Sequence, residues 1–347
     1  MKIKAYSVFR RSVIRYAKLF PALLISASVQ ASTSDYLVYV SNERSGDISV
    51  IDPAEAKVVA TVPVGKRPRG IHCSPDGQQI YVALSGSPRV APGVDRDRTA
   101  ADKTADGIGV VDARRRALRM KLPAGSDPEQ FAILKDGKRA VISNEDKSTA
   151  SVVDLATGNV LGQVKVSDEP EGVAVNPANG LVYVTCEEKG DVYVIDPDRL
   201  FSPANLKVGP RPRSAAFLPD GSRAYVPSEA DGSIDVIDTA ANKVVSNIKL
   251  GGAPMNCVAS VDGKELYVST GRGNSIVVVG TGENNVVATI PVGQRVWGFG
   301  LSPDGGTIYT ANGASNDVSV VDVKTRKEVS RIKVGDGPWG VAIGKRP

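Results

Sequence analysis

Seven short segments of this sequence carry most of the side chains that could do chemistry: "KRPRG" (66–70), "SDPEQ" (126–130), "DEPEG" (168–172), "PRPRS" (210–214), "GAPMN" (252–256), "QRVWG" (294–298) and "DGPWG" (336–340). The slot after the proline (or Val296) holds Arg69, Glu129, Glu171, Arg213, Met255, Trp297 and Trp339 in turn. The slot before it holds Arg67, Asp127, Glu169, Arg211 and Arg295 among others. Guanidinium groups at Arg67, Arg69, Arg211 and Arg213 suit a ligand bearing carboxylates, because charge-assisted hydrogen bonds to a planar fork are strong. Trp297 and Trp339 suit stacking on a flat group. Two acidic entries, Glu129 and Glu171, sit between the two basic ones. The competing arrangement pairs Arg69 with Glu129 and Arg213 with Glu171. Such rim pairs hold a loop but stabilise little.

Three further sets bear on chemistry. Glu43, Glu145, Glu187 and Glu229 follow "YVSN"-like runs in four places and read as solvated loop charges beside the same segments. His72 is the single histidine; its counterparts in the other segments are Ala132, Ala174, Ala216, Val258, Gly300 and Ala342, so a buried neutral imidazole is expected. One histidine excludes a multi-histidine metal centre. Of three cysteines, Cys73 and Cys257 occupy apolar slots, whereas Cys186 replaces the Asn of Asn42, Asn144 and Asn312 and is expected to be the reactive one. No C-x-x-C-H haem attachment occurs.

The elements that must position these residues follow from a repeat. Runs of the type "GDISVID" end at Asp52, Asp112, Asp154, Asp196, Asp238, Gly280 and Asp322, spaced by 60 residues once and by 42 thereafter. Each unit holds four runs of four to eight residues rich in Val, Ile and Tyr, bounded by turns such as Pro75-Asp76-Gly77. Four-stranded units of this length predict an all-β, seven-bladed β-propeller of antiparallel blades. The chain after the seventh unit continues "WGVAI", a lone first strand, while the run "DYLVYVSN" lacks one. Trp339–Ile343 is therefore expected to complete the N-terminal blade. The loops named above then share one axial face. The second unit carries an insertion of about 18 residues near 85–106. Its Asp95, Asp97, Asp102 and Asp106 are interleaved with Arg96, Arg98 and Lys103, without the glycine and terminal glutamate of a calcium loop, so a polar lid is expected.

"YVSN", "YVTC" and "YTAN", each followed by an "SVID"-type strand and a "VG.RP" exit, resemble the YVTN family of β-propeller repeats. "VGKRPRGI", "EPEGVAV", "NGASNDVSVVDV" and "VGDGPWGVA" are similar to the exported propellers associated with pyrroloquinoline-quinone-dependent alcohol catabolism. The resemblance implies a periplasmic or secreted setting and makes pyrroloquinoline quinone a candidate ligand. It carries no established reaction, and no other cofactor is indicated.

Residues 1–31 read as an export signal, with six basic residues, no acid, a short apolar run and Val29-Gln30-Ala31 at the cleavage site. The apolar run is too short for a membrane span. The net charge of +5 comes from this segment; the remaining chain is nearly neutral, which argues against a nucleic-acid partner. The organisation expected is a signal over 1–31 and one propeller over 32–347. The function expected is binding of a protein partner or a small anionic ligand at the axial face. The alternative is a propeller hydrolase of lactonase type.

Overall fold

The computed structural model describes residue 1 and residues 34–88 and 101–347. The export-signal reading and the segment 89–100 of the insertion lie outside the described residues. Seven four-stranded antiparallel sheets follow one another, the seven blades of a propeller. The first strand of blade 1 is Pro338–Lys345, which pairs with Tyr36–Asn42 in the register Val38 to Ile343 and Val40 to Val341. The ring is thus closed by the C-terminal strand, as the repeat arithmetic requires.

Side chains alternate along each strand, so both faces of a central strand meet a neighbouring blade. The apolar core therefore lies between blades rather than inside one. Blades 7 and 1 share Val38, Val40 and Ile51 with Tyr309, Ala311 and Ile332. In outer strands such as Lys327–Lys333 partly or fully covered residues alternate with exposed ones. The repeated aspartate ends its third strand by accepting backbone N–H groups of the next turn, for instance Asp154 Oδ1 from Ala156 (3.0 Å) and Thr157 (2.8 Å). This is the turn-capping role its position predicts.

Irregularities in the first strands position the axial loops. In blades 3, 4, 6 and 7 the ladder with the second strand shifts register between Pro128 and Phe131, Pro170 and Val173, Pro254 and Cys257, and Val296 and Phe299. Bulges re-aim side chains. Here each bulge contains the residue after the proline slot: Glu129, Glu171, Met255 or Trp297. Blades 2 and 5 solve the problem differently. Their first strands are cut to Ile71–Cys73 and Ala216–Phe217, and the preceding Arg69 and Arg213 bond through their backbone N–H to Ala83 O (3.0 Å) and Pro227 O (3.1 Å).

Candidate functional site

The loops of this face share a backbone clip. The residue before the proline slot has positive φ in all seven blades: Arg67 (44°), Asp127 (50°), Glu169 (52°), Arg211 (57°), Ala253 (58°), Arg295 (55°) and Gly337 (67°). Only Gly337 adopts this region without steric cost. In six blades its carbonyl accepts the backbone N–H of the residue that follows the second strand, as in Glu187 N to Glu169 O (2.9 Å) and Glu229 N to Arg211 O (3.0 Å). Non-glycine residues in this region store strain of order 1 kcal/mol each, and such strain gathers at functional sites. The clip brings the lead-in loops against Glu43, Glu145, Glu187 and Glu229, so these glutamates belong to the site rather than to the solvent. Glu145 is buried, and the side chains of the other three are only 13 % exposed.

The face divides into three sectors. In blades 2 and 3, Arg69 is 3 % exposed; its Nη2 donates to Asp127 Oδ1 (2.8 Å) and its Nη1 pairs with Glu129. Burial lowers the Arg69 pKa, with Arg67 nearby acting in the same direction. Burial also works against the Asp127 carboxylate, but Arg69, Ser85 and Ser87 outweigh it and hold its pKa well below the usual range. Arg67 pairs with Glu43 at 3.0 Å. The expected pairing of Arg69 with Glu129 is thus formed, and Arg69 is part of the wall.

In blades 4 and 5, Arg213 gathers three carboxylates. Its Nη1 contacts both Glu171 and Glu187, and its Nη2 and Nε donate to Glu229 Oε2 (2.5 and 2.7 Å). Arg211, 45 % exposed, pairs with Glu187 and approaches Glu229 at 3.7 Å. Burial pushes the Glu171 carboxyl up to about 8; Arg213 opposes this and the neighbouring Glu187 adds to it. Glu187 goes the other way: burial disfavours its charge, but Arg213 and Arg211 hold it ionised, below the usual value. One carboxyl of the set therefore keeps a proton while its neighbour has lost one.

In blades 6, 7 and 1 the face is aromatic. The indoles of Trp297 and Trp339 lie 6.3 Å apart at 19°, and the Arg295 guanidinium sits 4.8 Å above the Trp297 ring. Gly313 stands where other blades carry glutamate, because a Cβ there would lie 2.6 Å from Trp297 Cδ1. Arg272, which the repeat comparison does not single out, lines a small crevice with Glu229, Met255, Gly271, Arg295 and Trp297.

The remaining candidates take structural positions. His72 packs edge-on against Phe131, with ring centroids 4.7 Å apart. Burial, partly offset by a backbone bond to Phe131, lowers its pKa to about 4, so it is neutral. It lines a cleft of about 400 Å³ with Ser74, Pro303 and Lys345. Cys186 corrects the expectation of a reactive thiol: it is 0 % exposed, and burial pushes it up to about 12. The three cysteines are free thiols. Of the insertion's acids, Asp102 caps the single turn Lys103–Ala105 and pairs with Lys66 (2.8 Å), and Asp106 accepts the N–H groups of Gly86 and Asp127. Asp95 and Asp97 lie outside the described residues. Among the described residues no three His, Cys, Asp or Glu side chains are grouped to hold a metal ion, and no helix is long and apolar enough to cross a membrane.

This architecture defines a seven-bladed β-propeller with an ionised, partly aromatic axial face. By sequence the chain belongs to the choice-of-anchor I domain family, whose profile matches residues 24–197, half of the chain. The profile of the seven-bladed β-propeller lactonases matches residues 191–334, which include Arg211, Arg213, Glu229 and Trp297 but not Glu171 or Glu187. Antigen Lp49 of Leptospira interrogans is 27 % identical over 116 residues, 33 % of this chain and 25 % of that protein, so the match spans a quarter of the curated relative. Hydrazine synthase of Kuenenia stuttgartiensis shares the fold with a TM-score of 0.67 and 22 % identity, over 79 % of this chain and 89 % of that one. A protein described as a putative 6-phosphogluconolactonase from Bacteroides uniformis does so with a TM-score of 0.71 and 19 % identity, over 89 % of this chain and 100 % of the other. At these identities the structural likenesses establish the fold alone.

Proposed function

We propose that the protein is an exported hydrolase of lactone type that works at the Arg213 cluster. The observation that carries this reading is the contact of both Glu171 and Glu187 with Nη1 of Arg213. Three carboxylates around two guanidiniums leave one negative charge too many, and a retained proton on Glu171 removes it. A neutral acid beside an ionised base is the arrangement that ester hydrolysis needs. Ionised Glu187 accepts a proton from the water that attacks the lactone carbonyl. Arg211, half-exposed and with N–H donors beyond its contacts to Glu187 and Glu229, polarises the carbonyl oxygen. Protonated Glu171 delivers its proton to the ring oxygen as the acyl–oxygen bond breaks. The product is the open hydroxy acid, and the proton taken by Glu187 restores the pair.

The match of the lactonase profile to residues 191–334 supports this reading over the binding propeller that sequence alone favoured. The position of the carboxylates also supports it, since they neutralise Arg69 and Arg213 and leave these two less suited to bind an external anion. A periplasmic location, and a setting near quinone-dependent alcohol oxidation, remain proposals drawn from the repeat resemblance.

The test is a panel of sugar and aliphatic lactones assayed by acid release, with Glu187→Gln and Glu171→Gln alongside the wild type. Loss of a general base or acid costs about 100-fold or more in kcat. Turnover by the wild type that survives both changes unaltered would move the chemistry elsewhere. No turnover of any lactone would leave a non-enzymatic binding protein as the function of this face.

A further inference from the structure

The arginines on this face are not equivalent. Arg67, Arg69, Arg211 and Arg213 each meet a carboxylate. Among the described residues, Arg272 and Arg295 pair with none, although both line the crevice that Glu229 also lines. Arg295 is not loosely held. Its backbone sits at φ 55°, its N–H donates to Asn274 Oδ1 (2.8 Å), its carbonyl accepts from Gly313 (2.9 Å), and its guanidinium caps the Trp297 ring. Two glycines keep the space open. A Cβ at Gly313 would strike the Trp297 indole, and one at Gly271 would lie 3.1 Å from Met255 Cγ. In these two blades the loop has given up the glutamate of its repeat, and with it the internal counter-charge for a guanidinium.

We propose that Arg272, Arg295 and Trp297, extended by Trp339, form a subsite for a carboxylate borne on a planar, conjugated ring. The crevice has room for about one water-sized group, roughly 10 Å³, which suits a single carboxylate oxygen in a space that Arg272 and Arg295 both line. The rest of a flat ligand then lies on the near-parallel indoles, where offset stacking is favourable. Glu229 belongs both to the crevice and to the Arg213 cluster, so a carboxylate anchored here lies next to that cluster. This deepens the hydrolase reading by naming a group its substrate carries; it rests on that reading only for what happens at the cluster.

Trp297 and Trp339 are the only tryptophans of the chain, so intrinsic tryptophan fluorescence reports this platform alone. The full chain is titrated with benzoate, benzamide and cyclohexanecarboxylate, and so are the Arg272→Gln and Arg295→Met variants. Benzoate is expected to change the emission saturably, with about tenfold tighter binding than benzamide or cyclohexanecarboxylate. Each arginine change is expected to weaken benzoate about tenfold, the value of one charge-assisted contact. Both arginines are exposed, so melting curves stay unchanged, and Arg272→Gln tests the subsite without touching the strained backbone at Arg295. Equal affinity for benzoate and benzamide, no saturable response to benzoate, or undiminished binding by both arginine variants overturns the proposal. Benzoate binding without lactone turnover keeps the subsite and discards the hydrolase. Turnover without benzoate binding discards the subsite alone.

Discussion

Glu171 and Glu187 converge on one nitrogen, Nη1 of Arg213. One guanidinium nitrogen shared by two buried carboxylates cannot fully compensate both, so their titrations separate, Glu171 upward and Glu187 downward.

That separation has a consequence for stability. The Glu171 carboxyl titrates near 8 in the folded chain against 4.5 as its ordinary value. Between these values the folded state holds a proton that the unfolded state has released, so stability falls as pH rises through this window. The contribution is fully present below about 4.5 and is lost above about 8. Glu187, held ionised, acts on the acid side instead: its contribution is lost as pH falls below its ordinary value. Glu171→Gln is expected to flatten the decline of Tm between pH 5 and 8.5 (roughly, the window of this carboxyl) and to melt higher than wild type at its alkaline end. Calorimetric scans across that range check it. A wild-type Tm that does not decline, or a parallel decline in the variant, assigns the proton elsewhere.

Arg69 makes the opposite kind of prediction. It is buried against Asp127 and Glu129, and its Nε has no hydrogen-bond partner. Arg69→Met removes the positive charge and leaves two buried carboxylates uncompensated, which costs about 3–5 kcal/mol. Adding Asp127→Asn and Glu129→Gln is expected to recover most of the loss, because the orphaned charges disappear with their partner. Urea denaturation of the single and triple variants measures both steps. A single variant as stable as wild type would mean that the pair is open to water.

The architecture was legible because it depends on features that repeat. The 42-residue spacing, the aspartate that caps six of the seven third strands, and the unpaired "WGVAI" run together fix seven blades and their closure. The lead-in loops were also legible as a ring, since Arg69, Glu129, Glu171, Arg213, Trp297 and Trp339 occupy one repeat slot. What they touch was not legible in full. Whether a guanidinium is spent or available depends on the residue clipped opposite it, and that clip rests on positive φ at residues such as Arg211 and Arg295, which side-chain identity does not announce. Arg272 went unnoticed for this reason. Its signal was present: Gly271 and Gly313 replace the glutamate of four other blades where Met255 and Trp297 need room. Cys186 misled in the same way. A substitution in a repeat looks like specialisation, but a slot at the end of a central strand is enclosed by the next blade whatever fills it.

Ring closure carries the last prediction. The strand Pro338–Lys345 pairs along its length with Tyr36–Asn42. It also supplies Ala342 to the core between blades 1 and 2, and Val341 and Ile343 to the core between blades 7 and 1. Removing it uncovers two blade interfaces and leaves Tyr36–Asn42 as an unpaired edge, a template for association. Deletion of 338–347 is therefore expected to abolish the cooperative melt or to yield aggregates. Deletion of 346–347 alone removes only the Arg346 contacts to Ser34 O (2.7 Å), Asp35 O (2.9 Å) and Asp52 (2.9 Å), at the end of the ladder, and is expected to shift Tm by a few degrees at most. A synthetic peptide of the deleted segment, added during refolding, is expected to restore part of the cooperative transition, because the groove it fills is formed by strands already present. Sedimentation and scanning calorimetry distinguish the outcomes. A monomeric 338–347 deletion that melts as the full chain does would show that the other blades hold the ring without the clasp.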